Sequence, residues 1–217
     1  MPIITDIEQQ KHDSERVNLY VDGRFSCGLS TILIVARGLR VGTAISEAAL
    51  QELQRDDTAD RAYSAALNFL SIRPRSAREI RDYFRKRHTE DAIASAVVQR
   101  LERAGLLDDS QFARFWVDNR QTFRPRGRRA LRSEMRQKGL ADDVIDEALE
   151  GLGDEDVTAY DVGVKKARSY DRDDEPIFFR KMTGFLQRRG FSFEVAARAA
   201  RRIWTDTRGL SDTSEDE

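Results

Sequence analysis

Cysteine and histidine are almost missing from this chain: Cys27 stands alone, and His12 and His88 are the only histidines. A single cysteine excludes an internal disulfide, and three such residues cannot assemble a Cys/His metal cluster. Long hydrophobic runs are missing as well. No apolar stretch approaches the roughly 20 residues that span a bilayer. The start, Met1-Pro2-Ile3-Ile4-Thr5-Asp6, has neither the basic flank nor the long apolar core of a secretory signal. The expectation is a cytoplasmic protein without membrane contact, cofactor or metal. No nucleophile with a partner base and no phosphate-cradling loop is present, which leaves catalysis without a carrier.

What the chain has is charge. Asp, Glu, Lys and Arg make up 35% of its 217 residues against 40% hydrophobic, and the mean hydropathy is -0.62. Such a chain exposes much area relative to its interior, which fits an elongated array of small helical units better than a deeply cored enzyme. The net charge of -1 conceals segregation. Residues 123–138 hold Arg124, Arg126, Arg128, Arg129, Arg132, Arg136 and Lys138 against Glu134 alone, a net of +6, whereas 139–161 hold nine acids and no Lys or Arg, a net of -9. A charged binding surface beside a repelling or self-pairing one is expected.

The first 30 residues read as extended chain. Ile3-Ile4-Thr5-Asp6-Ile7 is rich in β-branched residues, Val17, Leu19 and Val21 alternate with polar partners, and an apolar pattern resumes at Phe25. Asp22-Gly23 between these runs suits a type I′ hairpin turn, and a small antiparallel sheet of two or three strands is expected. A short helix over 30–37, capped by Ser30 and stopped at Gly38, comes next, and a second begins after Ser46 and runs through Leu53.

From about residue 58 the pattern is helical and repeats with a shift of 51 residues. Ile80, Phe84 and Arg87 fall over Leu131, Met135 and Lys138, then over Met182, Leu186 and Arg189. Ile93, Val97 and Leu101 fall over Val144, Ala148 and Leu152, then over Val195, Ala199 and Ile203, while His88 falls over Gly139 and Gly190. The i, i+4, i+8 spacings place each set on one helix face. With a further apolar helix before each pair, at 62–70, 112–117 and 157–167, each repeat holds three helices. The fold class is therefore mainly α: three tandem three-helix repeats at 58–107, 108–153 and 154–205, a small N-terminal β extension over 1–57, and an acidic disordered tail over 206–217.

Ala66-Leu67-Asn68-Phe69-Leu70 and Arg73-Pro74-Arg75-Ser76-Ala77-Arg78-Glu79-Ile80 resemble the opening of the RecX family. Gly105-Leu106-Leu107-Asp108-Asp109, then Phe112-Ala113, Trp116, Gly127, Glu134 and Lys138-Gly139-Leu140, resemble the signature of its middle repeat. The third repeat resembles the family through Phe185, Arg189-Gly190 and Phe191, so the likeness covers roughly 61–204. It implies a protein that binds the filament of RecA recombinase on single-stranded DNA, restrains strand exchange and filament growth, and has no catalytic residues; a monomer is expected, with oligomeric state left open by the sequence. His88 departs from the pattern, since the other two repeats have glycine there.

Ser76 and Glu79 fit a capping box, and Asp108-Asp109 is placed to cap the next helix. A paired-carboxylate catalyst is the sharper reading of the two aspartates, but it lacks a companion base. Phe112, Phe115 and Trp116 read as core, and Asp108, Asp109, Phe112, Trp116, Gly127 and Gly139 as structural signature residues. Partner or nucleic-acid binding is assigned to Arg124, Arg126, Arg128, Arg129, Arg132, Arg136 and Lys138. Arg128, Arg132 and Arg136 turn by only about 40° per step and form a stripe that does not neutralise itself, able to fork onto phosphates or carboxylates. Pairing with the acidic third helix of the same repeat is the competing arrangement. A helical DNA-binding module that uses the stripe without a recombinase partner is the alternative function.

Overall fold

The computed structural model describes residues 1–172 and 174–208. Its packing divides into two units, one of residues 1–73 with 80–104, the other of residues 74–79 with the described residues from 105 onward.

In the first unit, β1 (Ile4–Gln10), β2 (Asp13–Val21) and β3 (Arg24–Ser30) form an antiparallel sheet in the order β1-β2-β3. Asp22 and Gly23, at φ 49° and 76°, make the turn that the Asp-Gly pair requires. Ile4, Val17, Leu19 and Leu29 face one side of the sheet and bury against Leu33 of α1 (Thr31–Ala36), Ile45, and Leu53 of α2 (Glu47–Leu70). Ser30 caps α1 by accepting from the Leu33 N–H, and Gly38, at φ 62°, follows its end.

Helix α2 is continuous over 24 residues where two helices were expected, so the expected boundary at 57/58 falls inside it. The stretch 47–70 contains neither glycine nor proline to stop a helix. Asp57, 4% exposed, pairs with Arg16 at 2.9 Å and accepts from the Ser30 N–H at 2.9 Å, tying mid-α2 to the sheet. The first triplet continues with α3 (Ala77–Lys86) and α4 (Asp91–Arg103), where Ile80, Phe84, Val97 and Leu101 are buried as their spacing required.

The second unit holds α5 (Asp109–Phe123), α6 (Arg128–Gln137) and α7 (Asp142–Glu150), then α8 (Glu155–Ala167), α9 (Glu175–Arg188) and α10 (Phe193–Arg208), with a short 3-10 turn at Arg168–Tyr170. Phe112, Leu131, Met135, Ile145 and Leu149 form one core, and Phe178, Met182, Leu186, Phe191, Ala199 and Ile203 another. Leu131 with Met182, and Met135 with Leu186, keep the 51-residue register. On α7 the register slips: Ile145, Ala148 and Leu149 are buried, while Val144 and Leu152 are only partly so.

Of the expected tail, residues 206–208 complete α10, and 209–217 lie outside the described residues. Tyr160 donates its hydroxyl to Asp206 at 2.9 Å, and the Arg208 guanidinium donates to the Tyr170 carbonyl at 2.7 Å, which fixes that last turn.

Candidate functional site

Helix α6 carries the basic stripe, and its start is held by backbone contacts. Gly127 donates its N–H to the Arg189 carbonyl at 3.0 Å, and the Arg129 N–H reaches the Gly190 carbonyl at 3.2 Å. A Cβ on Gly127 would strike the Gly190 backbone, and one on Gly190 would strike Ala130. The Arg128 N–H, otherwise an orphan of the helix start, is capped by Glu155 from α8 at 2.7 Å.

The same construction recurs 51 residues earlier, in the first turn of α3, which packs with this unit. The Ser76 hydroxyl donates to the Lys138 carbonyl at 2.7 Å, and the Ala77 N–H donates to Asp109 at 2.9 Å. Ser76 also accepts from the Glu79 N–H at 3.2 Å, and Glu79 reaches back to the Ser76 N–H at 3.4 Å and holds the Lys138 ammonium at 2.6 Å. A Cβ on Gly139 would lie 2.7 Å from the Arg78 side chain. The two aspartates therefore cap two different helices. Asp109 serves α3, while Asp108 accepts from Ser110 and Gln111 at 2.8 and 3.0 Å at the start of α5. Those amides, Gln111's foremost, hold the Asp108 carboxyl below its ordinary range. His88 reproduces the turn of Gly139 and Gly190: at φ 54° it is left-handed as they are, and its side chain is exposed.

This anchoring brings Arg78 beside Arg128, Arg129, Arg132 and Arg136. With Ser133 and Gln137 they line an open groove of about 640 Å³ to which no acidic side chain contributes. Three of the five arginines are held from outside the groove. Arg132 pairs with Asp146, Arg136 pairs with Asp142 at 2.7 Å, and Arg128 donates to the Leu149 carbonyl at 2.8 Å. The stripe is thus partly neutralised by α7, the competing arrangement that the acidic third helix offered, because i, i+4 positions on α6 face acids spaced identically on α7. The Arg136 guanidinium lowers the Asp142 carboxyl's pKa and is itself raised by it. Arg78 and Arg129 are exposed and make no salt bridge among the described residues, although Arg129 lies close enough to Glu194 to add to the backbone and Ser192 hydrogen bonds that lower the Glu194 carboxyl's pKa.

The seven cations expected to bind do not form one surface. Arg128, Arg129, Arg132 and Arg136 share the groove. Arg126 instead pairs at 3.1 Å with Glu134, which also holds Arg120 at 2.7 Å and accepts from the Trp116 indole at 2.9 Å. Lys138, bound to Glu79, lies over the Trp116 ring at 5.0 Å, and Arg124 lines a different groove. The Trp116 ring meets the Arg120 guanidinium at 4.3 Å and the Lys138 ammonium at 5.0 Å and stacks with Phe112, which is 1% exposed. Arg78 was missed. The available signal was the 51-residue register, which sets Arg78 over Arg129 and Arg180.

Among the described residues no group of three His, Cys, Asp or Glu could hold a metal ion, and no helix is long and apolar enough to cross a membrane. Fold and groove together define a tandem three-helix repeat protein with a small β extension and a basic groove on its middle repeat. The chain matches the family models described as "Regulatory protein RecX N-terminal domain" over 2–46 and as the first, second and third three-helix domains of RecX over 62–101, 108–149 and 154–212. "Regulatory protein RecX" of Bacillus subtilis (strain 168) is 31% identical over 94% of this chain and 78% of its own. That of Leuconostoc citreum (strain KM20) is 28% identical over 100% of this chain and 80% of its own. A crystal structure of regulatory protein RecX superposes with a TM-score of 0.74 at 26% identity, covering 90% of this chain and 97% of that one. The RecX structure from Lactobacillus salivarius shares the fold, with a TM-score of 0.61 at 22% identity over 68% of this chain and 97% of its own. The chain belongs to the RecX family of regulatory proteins.

Proposed function

We propose that this protein binds the filament formed by RecA recombinase on single-stranded DNA and modulates it, mainly by inhibition, in recombination and the DNA-damage response. The observation that carries this reading is the five-arginine groove, to which no acidic side chain contributes. An arginine fork donates two parallel hydrogen bonds to a phosphate or carboxylate, so five of them suit an extended anionic surface. The α7 carboxylates hold Arg132 and Arg136 in place, which lowers the ordering cost of binding. The protein acts by binding, as a cytoplasmic monomer, without turnover or cofactor. Preferential binding to one filament state shifts growth or disassembly by mass action, whereas equal binding to all states would shift nothing.

The test compares binding to recombinase-coated and naked single-stranded DNA at physiological salt. The proposal expects a clear preference for coated DNA that weakens when Arg129 and Arg132 are replaced by alanine. Equal or tighter binding to naked DNA would favour a DNA-binding module that needs no recombinase.

A further inference from the structure

A second groove, of about 710 Å³, opens where the end of α5 meets α8 and α9. Its cations are Arg124, Lys165, Lys166 and Arg189, and Asp161 is its one acid. Thr158, Asp161, Val162, Lys165 and Lys166 reach it from α8 at the i, i+3, i+4, i+7 and i+8 spacing of a single helix face. Arg124 and Lys165 are exposed and have no hydrogen-bonding side-chain partner among the described residues.

Phe123, at the end of α5, also lines this groove and is 75% exposed. A phenylalanine that served folding alone would gain from burial, and the core of this triplet already contains Phe112. Arg189 is held over the Phe185 ring at 4.9 Å and donates to the Pro125 carbonyl at 3.4 Å, which places a second flat surface in the same groove.

We propose that this groove is a binding site for a single strand of nucleic acid, in which Phe123 stacks on an unpaired base and Arg124, Lys165 and Lys166 follow the phosphates. The pairing of an exposed ring with a row of cations selects this ligand. Every base offers a π-face to an aromatic side chain, and the backbone supplies a negative charge per nucleotide. A duplex offers no free base face to a ring on a groove wall, and an acidic peptide would use the cations and leave Phe123 idle. The site is separate from the five-arginine groove and does not depend on the filament reading.

The experiment uses the full chain without recombinase. Fluorescence anisotropy follows a labelled oligothymidylate of about 16 nucleotides and an abasic strand of equal length. Phe123→Ala should weaken oligothymidylate binding at least about fivefold and leave the abasic strand unaffected, with Phe123→Trp restoring affinity. Replacing Lys165 and Lys166 with serine should lower the slope of log affinity against log salt by up to about 1.4. Circular dichroism should show every variant folded, because Phe123 and Lys165 are exposed and Lys166 is only partly buried. Unchanged oligothymidylate affinity in Phe123→Ala would overturn the proposal. So would an equal loss on both strands, or tighter binding of polyglutamate than of oligothymidylate. Dependence on Arg129 and Arg132 but not on Phe123 would move nucleic-acid binding to the other groove and refute this site, leaving the recombinase test untouched.

Discussion

The turns at Gly139 and Gly190 receive the same kind of helix start with different chemistry. At Gly190 the contact is backbone on backbone: Gly127 donates its amide to the Arg189 carbonyl, and a Cβ on either glycine would collide with main chain. At Gly139 the approach is looser. Ser76 stands where Gly127 stands, its hydroxyl donates to the Lys138 carbonyl, and the atoms nearest an added Cβ belong to the Arg78 side chain. The third equivalent turn carries an exposed histidine with the same left-handed backbone. The glycine requirement therefore follows how closely another backbone approaches, since His88 takes the positive φ itself at a cost of about 1–2 kcal/mol.

This gradient can be broken from its strong end. Gly190→Ala should destabilise most, by about 3 kcal/mol or more, because it combines a clash with the α6 main chain and an unfavourable φ of 91°. Gly139→Ala should cost less, about 2 kcal/mol, since the added Cβ meets the Arg78 Cβ and stem at 2.7 Å, which a small shift of the α3 start can relieve, rather than main chain. His88→Gly should lie within about 1 kcal/mol of the parent, on the stabilising side if strain outweighs the added freedom of the unfolded chain. Urea unfolding of the three variants checks the order; equal costs at 190 and 139 would remove the distinction between main-chain and side-chain contact.

The caps sharpen the same comparison with smaller effects. Asp108→Ala and Asp109→Ala should each cost about 1 kcal/mol, the first by freeing the start of α5 and the second by uncapping α3. Asp108 also bears an acid signature. Because the folded Asp108 carboxyl titrates below its unfolded value, its stabilisation is complete above that unfolded value, about 4. It is lost as the pH falls through the lower folded value. Asp108→Asn should flatten the acid limb of the stability profile below about pH 4, and an unchanged limb would show that the cap carries no net charge effect.

Much of the fold was legible because it is periodic. The 51-residue register located Ile80, Phe84, Leu131, Met135, Met182 and Leu186, all buried, and Asp22-Gly23 named its own turn. The candidate site was legible only in part. The charge run marked α6, but Arg126 and Lys138 were spent on Glu134 and Glu79, carboxylates on the same chain that no spacing rule pairs with them. Arg132 and Arg136 met α7 acids, a pairing the sequence offered as the competing arrangement without deciding between it and a free stripe. The continuity of α2 was hidden for a different reason: Asp57, a polar residue at the expected boundary, is buried because Arg16 arrives from β2, a contact between residues 41 positions apart.

The central claim is that the five-arginine groove meets an anionic partner surface. Arg78, Arg129 and Arg132 should be replaced together by alanine, which as a strong helix former should keep helical content and melting temperature nearly unchanged. Affinity for recombinase-coated single-stranded DNA is then measured from low to physiological salt. The account predicts a folded variant that binds at least about tenfold more weakly and with a reduced salt slope, the amount expected for the loss of about 1.4 kcal/mol or more. A folded triple variant that binds coated filaments as tightly as the parent at every salt concentration would contradict it.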